Sequence, residues 1–377
     1  MVWYLLGLLP SLANKLAKLE GDQTQNGEDS MQFYTNLHPF YCGIDLHARM
    51  LYVCILDERG DILVHKKIKG LTWTAFNTTF SFSGEYRSRC RMYALLVLAQ
   101  WFLQTAHIDF ILGHALYMKA IHGGKTKNDK IDAYKIAKLM RGGNFPLAYV
   151  YPKEKRAIRD LLRRRTHAMR HSAELKAFVK NALAQYNLPL PEKSDLSYNT
   201  GRDAMRGYFP DPLVQRSVDM NLRLIEIYDH EVSSIECHVE KITKNDNGRD
   251  YYLLRSLPGV GRVLALTILY EIGNIQRFES VQKFASYSRL VKCKAESAGK
   301  TYGTQGNKIG NAHLKWAFSE AAVLFLKGNP PAQAYLAKLQ KRMSKAKALS
   351  ALAHKLGRCM YFMLKNKTER CSKVNAF

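Results

Sequence analysis

Apolar positions recur at two spacings along this chain. Between residues 41 and 69 they come in short runs, 41–44 and 51–56, followed by the polar turn Asp57-Glu58-Arg59-Gly60-Asp61 and a third run. Runs of this length bounded by turn residues predict a three-strand meander. Residues 108–112 predict one more buried strand. From Pro152 to about Asn187 the spacing becomes helical, with Ile158, Leu161, Leu162, Met169, Leu175, Phe178 and Val179 set against Arg156, Arg159, Arg163, Arg164, Arg165 and Arg170. That pattern predicts a long basic amphipathic helix. A second helical pattern, from Leu213 to about Ile242, follows the proline-bearing stretch 188–212 and is expected to pair with the first as an antiparallel arm.

Composition narrows the partner. The chain has 377 residues, 47% of them hydrophobic, enough for two or three domains with real cores. Its formal charge is +25 and its pI near 9.7, an imbalance that favours a polyanionic partner, nucleic acid first. The seven cysteines are scattered and form no Cys-x-x-Cys, which argues against a disulfide scaffold or zinc knuckle and for a reducing cytoplasm. Residues 2–9 are apolar but stop at Pro10 with no basic residue before them, so neither a signal peptide nor a membrane span is expected. Residues 1–38 are expected to be a disordered extension or to follow from a mis-assigned start.

Candidate chemistry sits in three places. Asp129 and Asp132 are three apart; if Asn128 caps a helix, they share its first turn, and Asp45 at the end of the first apolar run projects toward it. Carboxylates so placed can hold a divalent metal, and beside a basic surface they point to phosphodiester chemistry. Leu257-Pro258-Gly259-Val260-Gly261 precedes the apolar helix 263–272; between two helices this motif offers free amides to a phosphate, with a plain interhelical turn as the alternative. Ser297 lies in a glycine-flexed loop among Lys294, Lys300 and Lys308, where lysines would stabilise charge developing at an attacked phosphate. An ordinary loop serine is the bland reading. The arm arginines are read either as a solvated face or as nucleic-acid contacts.

Other residues are expected to be structural. His47, His114 and His122 lack a tight ligand spacing, and Trp316 with the stripe 318–325 reads as core. Tyr302 is expected to contact DNA.

Five segments in order carry a resemblance: Gly43-Ile44-Asp45-Leu46-His47, Leu112-Gly113-His114-Ala115-Leu116-Tyr117-Met118-Lys119, Lys127-Asn128-Asp129-Lys130-Ile131-Asp132, Leu257-Pro258-Gly259-Val260-Gly261 and Glu296-Ser297-Ala298-Gly299-Lys300. The chain resembles bacterial insertion-sequence transposases of family 110, particularly the 1111 subgroup. The resemblance implies an RNase-H-like, RuvC-type α/β domain with an Asp-Glu-Asp-Asp site, a helical coiled-coil arm, and a mostly α C-terminal domain with a helix-hairpin-helix and a serine. It implies Asp45, Asp129 and Asp132 as three of the four acids, holding Mg2+, and Ser297 as a nucleophile forming a transient DNA link. It further implies element-end and target DNA, a guide RNA and a homo-oligomer as partners, in the bacterial cytoplasm at the nucleoid and without a membrane. Expected nucleic-acid contacts are Lys125, Lys127, Arg163, Arg164, Arg165, Gly259, Gly261, Arg262, Lys294, Lys300 and Lys308. The expected layout is 39–150 for the RuvC-like domain, 151–250 for the arm, 251–345 for the transposase domain and 346–377 for a basic helical tail.

One departure stands out. The family glutamate belongs in a Val-Gly-Val-Glu-like strand between the first two aspartates, and residues 71–104 contain no such segment. A one-base shift of a permissible back-translation of residues 88–99 restores that peptide, its glutamate codon overlapping those of Arg91 and Met92. Paired frameshifts, near 71–87 and 101–107, are therefore expected, with Glu85 a poor replacement. Such a copy would have weak or no activity. The alternatives are a non-catalytic nucleic-acid-binding remnant and a RuvC-like nuclease.

Overall fold

The computed structural model describes residues 33–47, 50–69, 90–94, 110–114, 117–118, 128–297, 300–305 and 309–368. These fall in two compact units, one up to Leu147 and one from Ala148.

The first unit is a sheet with a helix on it. Its strands are β1 (Phe33–Tyr34), β2 (Phe40–His47), β3 (Met50–Asp57), β4 (Ile62–Lys69), β5 (Cys90–Ala94) and β6 (Phe110–Leu112), followed by α1 (Asp129–Arg141) and β7 (Phe145–Pro146). The main sheet runs β4-β3-β2-β5-β6; the first three strands are antiparallel, and β5 and β6 lie parallel to β2. The predicted meander is there, turning where Asp57 Oδ1 accepts the Gly60 and Asp61 amides. A mixed sheet of this kind, in an α/β unit, is consistent with a RuvC-like fold.

One glycine sets the helix-to-sheet distance. A Cβ on Gly43 would stand 2.2 Å from the Ala133 carbonyl oxygen and 2.6 Å from the Ala137 amide nitrogen, so α1 rests directly on the β2 backbone. Ala133 and Ala137 are fully buried there, packed with Cys54 and Leu56 of β3.

The second unit is helical: α2 (Lys153–Gln185), α3 (Asn199–Asp203), α4 (Pro212–Arg255), α5 (Arg262–Ile272), a 3-10 turn (Ile275–Arg277), α6 (Val281–Tyr287), the hairpin β8 (Cys293–Ser297) and β9 (Lys300–Gln305), then α7 (Ala312–Phe325), α8 (Pro330–Gln340) and α9 (Lys345–Asn366). Helices α2 and α4 pack antiparallel. Leu162 near the start of α2 shares a core with Val239 late in α4, whereas Val179 and Leu183 at its end meet Val218 and Leu222. Asp211 caps α4 with Pro212 behind it, and Asn247 interrupts the helix with φ −149° and ψ 43°. The apolar stripe foreseen on α2 is wider than its buried face: Met169 and Phe178 are exposed, because one partner helix covers only a narrow line of positions. Trp316 packs against the main core, which contains Phe318 and Phe325. Among the described residues no helix is long and apolar enough to cross a membrane.

A buried carboxylate ties this unit together. Glu271, 3% exposed on the apolar helix α5, accepts two 2.7 Å bonds from Arg163 of α2 and a third from the Asn311 side-chain amide. Asn311 also caps α7, its Oδ1 accepting the His313 and Leu314 amides. Burial pushes the Glu271 pKa up, but the hydrogen bonds from Arg163 and Asn311 and the Arg163 charge outweigh it and hold the carboxyl below its ordinary value. A second knot lies alongside, where Glu236 of α4 takes Arg165 of α2 on one oxygen and Arg262 of α5 on the other.

Gly43→Ala is expected to cost about 3 kcal/mol in urea unfolding, since the added methyl meets helix backbone that can yield only by moving α1; a neutral result would contradict the contact. Glu271→Gln is expected to cost about 2 kcal/mol near neutral pH, less than is usual for a broken buried pair because Arg163 is 38% exposed and water takes up part of its charge. With the folded pKa depressed, this stabilisation is full above the unfolded value, near 4.5, and is lost as pH falls through the folded one. Stability curves of wild type and variant should therefore converge in acid; a constant gap would show that the charge is not responsible.

Candidate functional site

The three aspartates foreseen as metal ligands lie toward one end of the first sheet. Asn128 caps α1 as foreseen, its side chain accepting the Lys130 amide, and Asp129 and Asp132 occupy the first turn. Gly43 faces α1, so Asp45, two residues along β2, belongs to the same sheet face. Orientation follows from the other end of the helix. Arg141, at the C-terminus of α1, donates to the Glu58 and Arg59 carbonyls in the β3–β4 turn, and that turn is level with Phe40 at the start of β2. The helix therefore runs opposite to β2, and its acidic first turn lies toward the strand end that carries Asp45.

Asp45 is 8% exposed; Asp129 and Asp132 are half-buried, and Lys135 stands 4.0 Å from Asp132. The donors are hard oxygens, the set that suits Mg2+, which keeps several waters and takes one or two carboxylates along with substrate phosphate. Among the described residues, no three His, Cys, Asp or Glu side chains already form a metal-binding group. The acids thus share a face and an end without closing into a cage. His114 follows β6 with its ring 4.4 Å from Tyr117; burial lowers its pKa, partly countered by a backbone hydrogen bond.

The strand that should bring the fourth acid is present but lacks one. β5 reads Cys90-Arg91-Met92-Tyr93-Ala94. It pairs in register with β2 so that Arg91 is level with Tyr41 and Met92 with Cys42, three to four residues short of Asp45. At about 3.3 Å per residue, that is about 10 Å or more along the sheet. Glu85, His122, Lys125, Lys127 and Lys308 lie outside the described residues.

In the helical unit, Ser297 ends β8 opposite Lys300 of β9, and Lys294 pairs with Thr304. The foreseen loop is thus a hairpin, with Ser297 the last strand residue before the two-residue connection to Lys300. Lys300 is exposed. The hairpin leads on to Gly310 and Asn311, and the Asn311 amide donates to the Tyr287 carbonyl at 2.6 Å, fastening that flank to α6.

The glycine motif divides its work. Gly259 has φ +79°, and a Cβ there would meet the Phe325 amide nitrogen at 2.5 Å, so this glycine is packed beneath the end of α7. Gly261 has open space around it and precedes α5 with no side-chain cap. The cations foreseen as nucleic-acid contacts also part ways. Arg163 binds Glu271, Arg165 binds Glu236, and Arg262 binds Glu236 with Glu240 nearby. Their guanidiniums have partners inside the unit; Arg164, between the first two, is exposed.

Sequence reasoning missed Glu271, Asn311 and His313. A lone acid in the apolar run 263–272 was the available signal, because a buried carboxylate needs partners. His313 lies close enough to this knot for its pKa to respond: burial lowers it, Glu271 raises it, and Arg163 lowers it again.

Comparison with known proteins fits these two regions. Residues 42–188 match a family model for DEDD transposases of the IS110 type, which spans all three aspartates. Residues 251–337 match the model described as the transposase IS116/IS110/IS902 family, which spans Gly259 and Ser297. The chain is similar to the transposase for insertion sequence element IS1111A of Coxiella burnetii, 20% identical over 353 residues, covering 87% of this chain and 91% of that one. It is also similar to the putative transposase y4qE of Sinorhizobium fredii, 24% identical over 203 residues, 53% of this chain and 48% of that protein, so it spans about half of the rhizobial relative. With both functional regions matched separately and in order, the chain belongs to the IS110 family of transposases.

Proposed function

We propose that this chain descends from a DNA recombinase of the 1111 subgroup in which Ser297 attacks a scissile phosphate and Asp45, Asp129 and Asp132 hold Mg2+. The observation that carries the reading is the convergence of Asp45 and the α1 first turn on one face and one end of the sheet. When bound, the ion would supply charge neutralisation at the phosphate and its leaving oxygen. The serine oxygen forms the new phosphoester bond as the bond from phosphorus to the 3′ or 5′ oxygen breaks; the leaving oxygen takes that electron pair and, by way of solvent, the serine proton. Lys294, Lys300 and Lys308 would stabilise the extra negative charge on the attacked phosphate. Gly261 and the uncapped start of α5 would hold backbone phosphate. Lys125, Lys127 and Arg164 would add phosphate contacts. Element ends, target DNA, a guide RNA and further copies of the chain are the proposed partners, in the bacterial cytoplasm at the nucleoid.

A second reading has its own support. β5 offers no acid, and its register with β2 keeps positions 91 and 92 away from the level of Asp45. A transposase remnant that binds nucleic acid without cutting it would look like this. The two readings separate by experiment.

With Mg2+, element-end DNA and the element's RNA, an active copy should yield a covalent protein–DNA adduct that Ser297→Ala abolishes; an adduct surviving the substitution rules out Ser297. If the segment is frameshifted, this copy should give little adduct, and replacing residues 71–107 with the shifted-frame peptide should raise it at least tenfold. Single substitutions of Arg91 or Met92 by Glu should restore less, because they leave in place the present β5 sequence and its register, three to four residues short of Asp45, whereas the replaced segment is free to pair at another register. Full activity of the chain as it stands would end the frameshift account.

A further inference from the structure

The corner between α8 and α9 lies beyond both family matches, the second of which ends at residue 337. Lys338, Lys341, Arg342, Lys345 and Lys347 crowd into ten residues there, and all five are exposed. Packing fixes the way they face. Leu336 on α8, and Ala348 and Leu352 on α9, are buried, which turns the intervening cations outward. No carboxylate is within easy reach along the chain, for the sequence has no Asp or Glu between Glu320 and Glu369. Among the described residues none of the five is in an ion pair, in contrast with Arg163, Arg165 and Arg262. Like charges one helical turn apart repel by a few tenths of a kcal/mol each. A folded corner that collects them without internal counter-charges is matched to a polyanion outside the chain.

We propose that this corner is a docking surface for the phosphate backbone of duplex DNA. The proposal deepens the DNA-acting reading above and names a surface that reading leaves out. Two observations favour a duplex over an unpaired strand. Single strands are held by stacking bases on aromatic side chains, and residues 338–347 contain no aromatic residue. The nearest, Tyr335, has the Lys355 ammonium 4.3 Å over its ring. An exposed cluster of point charges with no aromatic residue among them to stack bases recognises charge density, and a duplex carries one phosphate charge per about 1.7 Å of axis. Contacts of this kind position the protein on DNA without specifying sequence.

The test is the salt dependence of binding by the full chain to a mixed-sequence duplex with no element-end sequence, in EDTA. Under these conditions, failure of the serine and metal chemistry leaves the measurement unaffected. The variant carrying Lys338→Gln, Lys341→Gln, Arg342→Gln, Lys345→Gln and Lys347→Gln should reduce the slope of log K against log salt by about 3 to 4, at about 0.9 for each phosphate no longer neutralised. A control replacing Arg59, Lys66, Lys67 and Lys138 by Gln, all exposed in the first unit, should change it by less than about 1. Should the fivefold variant misfold by circular dichroism, the sets 338/341/342 and 345/347 are measured separately and should each lower the slope in part. An unchanged slope overturns the proposal. So does an equal drop in the control, which would mean bulk charge alone, or a drop confined to single-stranded RNA.

Discussion

The helical unit depends on one carboxylate that water does not reach. Glu271 sits on α5, a helix buried on nearly all sides, and a charge in that position is tolerable only because Arg163 and Asn311 surround it. Those two partners come from elements far apart in sequence. Arg163 fixes the base of the arm against the C-terminal core; Asn311 fixes the start of α7 and, through its backbone, the end of α6. The Ser297 hairpin is strung between α6 and Asn311, so the geometry of its attachment is inherited in part from the partners of Asn311. Glu236 repeats the arrangement with Arg165 and Arg262. The positive charges that make the arm look like a nucleic-acid handle are thus divided: some hold the unit together and the remainder face solvent.

The sheet unit shows a different economy. Asp45, Asp129 and Asp132 reach one end because a strand and a helix run in opposite directions across each other, an arrangement set by the Arg141 contacts at the far end of α1 as much as by the acids themselves. The place of β5 between β2 and β6 is filled by the present sequence, whose backbone pairs with both neighbours. Filling a strand slot asks only for backbone hydrogen bonds and a tolerable pattern of side chains. Delivering a ligand asks for one residue at one register, and the register here runs short of Asp45.

Elements announced by periodicity were legible from sequence. The meander and both arm helices lie within two or three residues of their predicted bounds, apart from the second helix's continuation beyond Ile242 through the break at Asn247, and α1 starts at the foreseen Asn128 cap. What periodicity does not carry is the choice of partner. Arg163, Arg164 and Arg165 are indistinguishable in a linear reading, yet the turn of a helix separates the two that meet buried carboxylates from the one that meets water. Gly259 and Gly261 look equivalent in their motif; only the approach of α7 tells the packed one from the open one. The hairpin at Ser297 was read as a loop because glycine and lysine obscure its alternation.

The closeness of α1 to β2 bears on how relatives of this chain are recognised. A glycine two places before the first aspartate reads as part of a catalytic signature, but in this structure it answers to the thickness of a helix backbone. Copies that have lost their chemistry would still be held to that glycine by folding alone. Its survival in a degraded element is evidence of an intact hydrophobic layer and is silent about whether the element can still move.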